Sequence, residues 1–356
     1  MRSSAPKQPS SSVAGRPSVA TLLNTLFVQS QGAYLRLDHD TVRIEIDGQP
    51  VRQIPLHHLD GISVFGNVLI STALLHRCAE DGRSVTWFDG QGQFRARLNG
   101  PVSGNVLLRR AQHAALDDPQ RTRALASQFV RGKLRNALTV LQRANREHGG
   151  GPLLEAAIRE HRNALRLLSS VQTLDEIRGI EGVAATSYFA AFSELVRPGD
   201  LPFSGRTRRP PRDPVNAVLS FAYSLVTRDS IAALEGVGLD PQIGYLHALR
   251  PGRPALALDL VEELRPWLAD RLCLTLINRR QLTPHEFESR PGGAVHLTEE
   301  GRREVITAYQ RRKQETISHP LFKSPIPIGL VPYLQARLLA RYLRDDLPLY
   351  PPFLPR

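Results

Sequence analysis

The sequence predicts an α+β protein in which a small, mostly β domain precedes a larger, all-α domain. Between Leu22 and about Leu98, apolar and polar residues alternate over short runs, which is typical of strands. After residue 104 the apolar residues recur at helical spacing for most of the remaining chain. The chain has 356 residues, enough for two such domains, which we place at residues 19–100 and 101–356.

Residues 1–18 differ in composition from both predicted domains. They are rich in Ser and Pro and contain almost no large apolar side chains. Such a segment cannot bury enough apolar surface to offset the entropy lost on ordering, so we expect a disordered tail.

The β domain carries one clear hairpin signal. Val42, Ile44 and Ile46 alternate with charged residues, and Asp47-Gly48 then supplies a two-residue turn. Further short strands are expected at residues 34–37, 51–54, 62–65, 85–88 and 94–98, and one helix at residues 72–80.

The helical domain is expected to follow a hinge at residues 100–104, which contain two Gly and one Pro. Beyond this hinge, Leu125, Phe129 and Leu138 mark one amphipathic helix. A second helix is expected to begin just after Pro214, because apolar residues at helical spacing follow it.

Three polar residues share one face of this second helix. Asn216, Ser220 and Tyr223 stand at positions i, i+4 and i+7. Such a stripe could line a site that binds DNA, or it could face solvent.

The charge of the chain points to a polyanionic partner. Its formal net charge is +12, and 42 of its 46 basic residues are Arg. Arg binds phosphate with two parallel hydrogen bonds, which favours a nucleic-acid surface. A GC-rich genome would also explain the preference for Arg codons, but it would not explain the net charge.

Cysteine usage and hydropathy favour a reducing, aqueous compartment. Cys78 and Cys273 lie far apart and form no CxxC pair, so neither a zinc site nor a disulfide framework is indicated. No apolar run approaches the roughly 18 residues that span a bilayer, and the first residues lack the apolar core of a signal peptide. We therefore expect a soluble, cytoplasmic protein without a membrane partner.

A basic segment precedes the helix at Pro214. Arg206, Arg208, Arg209 and Arg212 surround two Pro residues and lead directly into the helix N-terminus. Phosphate groups bind both to Arg side chains and to the free N–H groups of helix N-termini. The segment is therefore a candidate DNA surface, although a solvated loop would have the same composition.

Two carboxylates and one imidazole are candidate metal ligands. Glu181, His247 and Glu262 each lie in a distinctive segment, and such a ligand set suits Mn²⁺ or Mg²⁺. The residues alone also allow purely structural roles. Asp259 and Glu262 could form a helix capping box, His247 could be structural, and Glu181 could be a solvated helix residue.

Several segments together resemble one protein family, the CRISPR-associated integrase of spacer acquisition, and in particular its type I subtype C branch. The resemblance lies in residues 22–28, 55–57, 100–109, 208–220, 259–266 and 335–351. It covers nearly everything after residue 18, and the N-terminal tail is the main departure.

The resemblance implies a specific site and specific partners. The family's metal ligands fall on Glu181, His247 and Glu262, and Asp259 matches an acidic position that supports the site. In the family, the β domain forms a homodimer and the helical domain carries one divalent metal. Family members also assemble with a small ferredoxin-like adaptation protein into a heterohexamer that inserts short DNA duplexes into the repeat array.

The function predicted from this resemblance is metal-dependent DNA integration or cleavage. Integration exchanges one phosphodiester for another and needs no ATP, and the chain contains no GxxxxGK[ST] phosphate loop. Two alternatives remain: a structure-specific, metal-dependent nuclease that consumes water, and a DNA-binding scaffold without catalysis.

Overall fold

The computed structural model describes residues 19–355 except 23–24, 60, 90–93, 99, 101–105, 198, 200 and 322–324. The predicted tail at residues 1–18 and most of the predicted hinge at residues 100–104 lie outside the described residues. The first part of the chain contains β1 (Val19–Leu22), β2 (Thr25–Val28), β3 (Tyr34–Asp38), β4 (Thr41–Ile46), β5 (Gln49–Pro55), β6 (Gly61–Phe65), β7 (Leu69–Ile70), α1 (Thr72–Glu80), β8 (Ser84–Phe88) and β9 (Phe94–Leu98).

Helices dominate the second part. It contains α2 (Val106–Asp117), α3 (Pro119–His148), α4 (Pro152–Leu167), α5 (Leu174–Leu195), α6 (Pro214–Gly236), α7 (Ala255–Leu264), α8 (Arg271–Asn278), β10 (Phe287–Arg290), β11 (Ala294–Leu297), α9 (Glu299–Gln314), β12 (Thr316–Ser318), β13 (Pro325–Pro327) and α10 (Val331–Leu343). The predicted α+β class, with a β part before a mostly helical part, is confirmed. Two short hairpins, β10–β11 and β12–β13, were not predicted for the helical part.

The strands of the first part form two sheets within the described residues. One sheet has the order β1-β2-β6-β8-β9, and the other has the order β5-β4-β3-β7. In the first sheet β2, β6 and β8 are parallel neighbours, and every residue of β6 is buried. A parallel strand covered on both faces is mostly apolar rather than alternating, as β6 is at Ile62, Val64 and Phe65.

The predicted hairpin lies in the second sheet. β4 and β5 pair antiparallel, and Asp47 and Gly48 connect them with φ angles of 50° and 73°. Positive φ at both central residues is the geometry that Asp-Gly and Asn-Gly turns favour, so the predicted turn is confirmed.

The β part packs directly on the helical part. Phe27, Phe65 and Phe88 lie in the same apolar cluster as residues of α3, α5 and α6. Arg228 of α6 reaches back across this contact, because its guanidinium lies 4.9 Å from the centre of the Phe27 ring and it donates a hydrogen bond to Ser63. Apolar packing and polar contacts, which include that of Arg228, therefore join the two parts.

Helix α6 runs through the core of the helical part. Its length and composition would allow it to cross a membrane, but 56% of its apolar 18-residue stretch is buried inside the protein. Its apolar character is explained by that burial, which includes Val218, Leu219 and Val226.

The helix that follows residue 254 changes geometry partway along. α7 continues into a π-helical segment, Arg265–Asp270, and then into α8. Pro266 has no N–H to donate to the carbonyl of Glu262, four residues earlier, so the regular hydrogen-bond ladder is interrupted there. The widened turn follows closely after Glu262, one of the predicted site residues.

Candidate metal centre

Two glutamates from different helices share one lysine in the helical part. Glu181 lies on α5 and Glu262 on α7, and the Lys133 ammonium of α3 contacts both carboxylates. Lys133 Nζ lies 2.7 Å from Glu262 Oε2 and forms a short ion pair with Glu181 Oε1. The side chains are 14%, 3% and 25% exposed for Lys133, Glu262 and Glu181, so water screens these charges only weakly.

A glycine permits the close contact between α3 and α7. A Cβ atom at Gly132 would lie 2.7 Å from the Cβ atom of Glu263. Any larger residue at this position would push the helices apart. Close packing at Gly132 therefore brings the next residue, Lys133, to Glu262.

His247 lies beside the same carboxylate. Its Nε2 atom is 3.6 Å from Glu262 Oε1, and its Nδ1 atom is 2.6 Å from Asp259 Oδ1. A proton on Nδ1 donates to Asp259 and leaves the lone pair of Nε2 available to a cation. An unprotonated Nε2 and a carboxylate oxygen are both acceptors, so a cation between them would relieve their repulsion.

Asp259 holds the backbone that carries the imidazole. Its fully buried carboxylate accepts hydrogen bonds from the backbone N–H groups of Tyr245, Leu246 and His247, at 2.6, 3.0 and 2.9 Å. The alternative in which Asp259 starts a capping box is wrong, because α7 begins four residues earlier at Ala255. Asp259 instead orients His247.

The loop before α7 also depends on a glycine. A Cβ atom at Gly244 would lie 2.6 Å from the carbonyl carbon of Ala255. Only glycine lets this loop approach the start of α7 so closely. The contact brings the loop that carries His247 against the helix that carries Asp259.

Arg178 of helix α5 binds the loop that carries His247. Its Nη2 and Nε atoms donate to the carbonyl oxygen of Leu246 at 2.8 and 3.1 Å. Arg178 precedes Glu181 by three residues, so both side chains leave the same side of α5. A capping box between Thr173 and Glu176 fixes the start of this helix.

The charges around Glu262 keep its carboxyl group ionised. Burial raises the pKa of Glu262, but the positive charges of Arg265 and Lys133 outweigh burial and lower the pKa below its usual range. Arg265 Nη1 lies 2.8 Å from Glu262 Oε1. An ionised, buried carboxylate is the form that binds a metal cation.

The donor atoms fit a small divalent cation. Glu181 and Glu262 offer anionic oxygens, His247 offers a nitrogen, and Glu262 Oε2 is buried without a partner in hydrogen-bond geometry. In the described part of the chain, no three His, Cys, Asp or Glu side chains lie close enough together to hold a metal ion. The Lys133 ammonium lies between the two carboxylates.

A cavity adjoins this cluster. Its lining includes Glu181 and Lys133 as well as Arg208, Tyr223 and Asp270. The cavity therefore lies between Glu181 and one arginine of the basic segment.

Asp270 is buried at this cavity between two tyrosines. Its Oδ1 accepts a hydrogen bond from Tyr223 Oη at 2.6 Å, and its Oδ2 accepts one from Tyr188 Oη at 3.0 Å. Burial raises the pKa of the Asp270 carboxyl to about 6, although both hydrogen bonds lower it.

The predicted DNA surface divides into exposed and inward-facing residues. Arg208, Arg209 and Arg212 are exposed. Arg206 turns inward and lies over the rings of Phe189 and Tyr223, 5.9 and 5.4 Å from their centres. Three of the four arginines are therefore available to a phosphate backbone, and Arg206 helps to shape the segment.

The predicted polar stripe on α6 faces inward. Asn216 is fully buried, accepts from Arg206 Nη1 at 2.7 Å, and donates to Gly205 O and Asp213 Oδ2 at 2.7 and 2.6 Å. Ser220 is half-buried and accepts from Arg206 at 3.3 Å, whereas Tyr223 lines the cavity. The alternative that this stripe faces solvent is therefore wrong for Asn216. Contact of these three residues with DNA stays a prediction, and Tyr223 is the best placed of them.

Sequence reasoning missed Lys133, Arg178, Arg265 and Asp270. Arg265 stands three residues after Glu262, at the spacing of a helical ion pair, so its contact could have been found. Lys133 is one of only four lysines, which is a weak signal. The contacts of Asp270 depend on tertiary packing and have no local signal.

Comparison with known proteins places the chain in a family. The family model of CRISPR associated protein Cas1 matches residues 26–311. A CRISPR-associated endonuclease Cas1 of Moorella thermoacetica is 52% identical over 340 residues, which cover 94% of this chain and 99% of that protein. One of Rhodospirillum rubrum is 48% identical over 341 residues, covering 93% and 98%. The chain belongs to the CRISPR-associated Cas1 family.

Solved structures with the same fold include two complexes. A casposase bound to integration product has a TM-score of 0.79 and 23% identity, covering 92% of each chain. A Cas6-RT-Cas1–Cas2 complex has a TM-score of 0.77 and 22% identity, covering 96% of this chain and 37% of that one. At these identities the likeness shows the fold. The family resemblance found in the sequence is confirmed, and the subtype C branch stays a prediction.

Proposed function

We propose that the protein is a metal-dependent DNA integrase and endonuclease of CRISPR adaptation. The proposal rests on two contacts of Glu262: it shares the Lys133 ammonium with Glu181, and its Oε1 lies 3.6 Å from Nε2 of His247, whose Nδ1 contacts Asp259. Membership of the Cas1 family supports it, as do relatives that are named CRISPR-associated endonucleases.

The site would hold one Mn²⁺ or Mg²⁺ ion. Glu181 and Glu262 supply two negative charges, and His247 supplies the neutral Nε2 that its hydrogen bond to Asp259 exposes. When bound, such an ion polarises a phosphate oxygen and lowers the pKa of an attacking hydroxyl group.

The proposed reaction is a transesterification. A 3′-hydroxyl oxygen of a short duplex attacks a phosphorus atom of the repeat DNA and gives up its proton. One P–O bond forms as another breaks, so the displaced strand leaves with a free 3′-hydroxyl. With water in place of the hydroxyl, the same groups would cleave DNA.

The exposed arginines of the basic segment would hold the DNA backbone. Arg208 lines the cavity beside Glu181, and Arg209 and Arg212 extend the positive surface away from it. Phosphate contacts of this kind orient the duplex without reading its sequence.

The salt dependence of DNA binding tests this surface. Replacing Arg208 and Arg209 together by Ala should reduce the slope of log affinity against log salt by up to roughly 1.8, because each neutralised phosphate contributes about 0.9. An unchanged slope in fluorescence anisotropy titrations would remove these residues from the DNA surface.

The proposed assembly follows the family. Residues 19–100 would form a homodimer, and residues 101–356 would carry the catalytic site. A small ferredoxin-like adaptation protein would complete a heterohexamer on DNA in the cytoplasm. The fold is shared with a chain of a complex that contains Cas1 and Cas2.

Strand joining tests the proposed reaction. A labelled short duplex is incubated with a repeat-containing plasmid, Mn²⁺ and the partner protein, and 3′-hydroxyl ends are compared with 3′-deoxy ends. Joining should require the hydroxyl and should be lost in Glu262→Ala. Joining by Glu262→Ala at the wild-type rate would contradict the proposal.

The relatives are named CRISPR-associated endonucleases, which favours a nuclease as a second function. Mn²⁺-dependent strand cutting without joining would select this function. Salt-dependent binding that is indifferent to Glu262→Ala and is followed by neither reaction would select a scaffold.

A further inference from the structure

The buried lysine at the candidate metal centre has a role of its own. We propose that Lys133 is an internal counter-cation, which occupies the metal position in the metal-free protein and is displaced when a divalent cation binds. This inference rests on the proposed function, because it takes Glu181 and Glu262 as metal ligands.

The ammonium group stands where a bridging ion would stand. It contacts one oxygen of each carboxylate, and these two oxygens come from different helices. Nζ lies 2.7 Å from Glu262 Oε2, so the opposite charges of the two groups attract each other strongly. The contact is electrostatic, and another cation can replace it.

The ammonium and a divalent ion differ in size. Charge-assisted contacts between nitrogen and oxygen are roughly 2.7–2.9 Å long, whereas Mg²⁺ binds oxygen at about 2.0–2.1 Å. An ion would therefore draw the carboxylates closer together than an ammonium group does. Both cations cannot stand between the same two oxygens, so binding of one excludes the other.

Lys133 also differs from the other cation at the site. Among the described carboxylates, Arg265 forms an ion pair with that of Glu262 alone, and its guanidinium lies 5.0 Å from the centre of the Tyr223 ring, which holds it in place. Lys133 has a flexible stem and a compact ammonium group, and it borders the cavity. The ammonium can therefore move into the cavity when it leaves the carboxylates.

A second buried lysine provides a matched control. Lys313 Nζ lies 2.5 Å from Asp229 Oδ2. The same carboxylate is also paired with Arg228 at 2.6 Å and accepts from Tyr309 Oη at 2.9 Å. Lys313 thus neutralises one carboxylate that has several other partners, whereas Lys133 bridges two carboxylates.

The first test is Mn²⁺ affinity, measured by isothermal titration calorimetry on the EDTA-treated full chain. Lys133→Met removes the competing charge and should tighten Mn²⁺ binding on the order of tenfold or more. Lys313→Met should leave the affinity within about twofold of the wild type, because Lys313 pairs with Asp229 and not with the proposed ligands. Unchanged or weaker binding by Lys133→Met would overturn the proposal.

The second test uses the wild-type protein and does not depend on the folding of a variant. The chain has four lysines, so peptide mass spectrometry can follow reductive methylation of each one. Lys133 should react slowly in EDTA and several times faster in saturating Mg²⁺, while Lys313 stays slow in both. Equal methylation rates of Lys133 with and without bound Mg²⁺ would overturn the proposed displacement of Lys133 by the ion.

The metal site and the lysine exchange can fail separately. If neither the wild type nor Lys133→Met binds Mn²⁺, the proposed metal site fails and the exchange fails with it. If Glu262→Ala abolishes Mn²⁺ binding but Lys133→Met leaves the affinity unchanged, the metal site stands and the exchange alone fails.

Discussion

Two adjacent glutamates on α7 have pKa values that are shifted in opposite directions. Glu262 and Glu263 are 2% and 0% exposed, and they project from the helix towards different neighbours. The pKa of Glu262 lies below its usual range, whereas burial raises that of Glu263 to about 7. Burial is nearly the same for both, so the neighbouring groups decide the difference.

Glu262 is surrounded by cations. Lys133 and Arg265 contact its two oxygens, and His247 lies nearby. The positive charges of Arg265 and Lys133 keep the carboxylate ionised although it is buried. An ionised carboxylate can bind a metal cation.

Glu263 is surrounded by neutral donors from the chain's C-terminal segment and from α10. Its oxygens accept from Tyr350 Oη at 2.5 Å, Phe353 N at 2.7 Å and Gln335 Nε2 at 3.2 Å. The segment before the C-terminus is thereby attached to α7. Charged neighbours therefore lie on the side of α7 that faces the candidate metal centre, and neutral donors lie on its structural side.

The largest expected effect separates the two glutamates in catalysis. Glu262→Gln removes the ionised group and should slow strand joining by more than about 100-fold, beyond the usual effect of changes outside the ligand shell. Glu263→Gln has the shape of a protonated glutamate and should change the initial rate only a few-fold. Similar losses in both variants, measured in Mn²⁺, would remove the distinction between the two sides of α7.

Asp270 extends the comparison to pH. Its folded-state pKa of about 6 is raised by burial above the ordinary 3.8, so the folded protein keeps a proton that the unfolded chain releases between these values. The protonated Asp270 carboxyl therefore contributes fully to the stability of the folded protein below about pH 4, and this contribution is lost as the pH rises through 6. Between pH 4 and 7, the free energy of unfolding of the wild type should therefore fall by up to about 3 kcal/mol relative to that of Asp270→Asn.

Urea unfolding of both proteins at several pH values measures this difference. A stability difference that does not vary with pH would mean that the Asp270 carboxyl is already ionised in the folded protein. The hydroxyl groups of Tyr188 and Tyr223 would then stabilise the ionised form of Asp270, as Lys133 and Arg265 stabilise the ionised form of Glu262.

The smallest expected effect concerns the structural side of α7. Tyr350→Phe removes one hydrogen bond to Glu263 and should lower the free energy of unfolding by about 1–2 kcal/mol. Mn²⁺ affinity should stay within about twofold, because Glu262 keeps its own neighbours. Urea unfolding and calorimetry measure the two quantities, and a large loss of Mn²⁺ affinity would show that the C-terminal segment positions the metal ligands.

Local patterns predicted local structure well. The predicted helix at residues 72–80 has the bounds of α1, and the turn at Asp47-Gly48 has the expected positive φ angles. Strands β1, β2 and β7 were missed because two to four residues are too few for an alternating pattern.

The site was predicted only through the family resemblance. Glu181, His247 and Glu262 are separated by 66 and 15 residues, so spacing alone could not bring them together. Two tertiary contacts, which no local sequence pattern reveals, hold the loop that carries His247 against α5 and α7. Arg178 binds the carbonyl of Leu246, and Asp259 binds the backbone of the same loop.

The basic segment shows a different limit. Its composition marked four arginines as equivalent, but Arg206 turns inward onto Phe189 and Tyr223. The direction of a side chain within a loop depends on the rings and acceptors that tertiary packing provides. The sequence alone could not predict that Arg206 is half-buried whereas Arg208, Arg209 and Arg212 are exposed.

The central claim is that Glu181, His247 and Glu262 hold one divalent cation. Anomalous X-ray scattering from a crystal of the protein soaked in Mn²⁺ tests it most directly. We predict one strong peak per chain at coordination distance from both carboxylates and from His247 Nε2, with Lys133 moved away. The absence of a peak there at saturating Mn²⁺, with Lys133 still bridging the two glutamates, would contradict it.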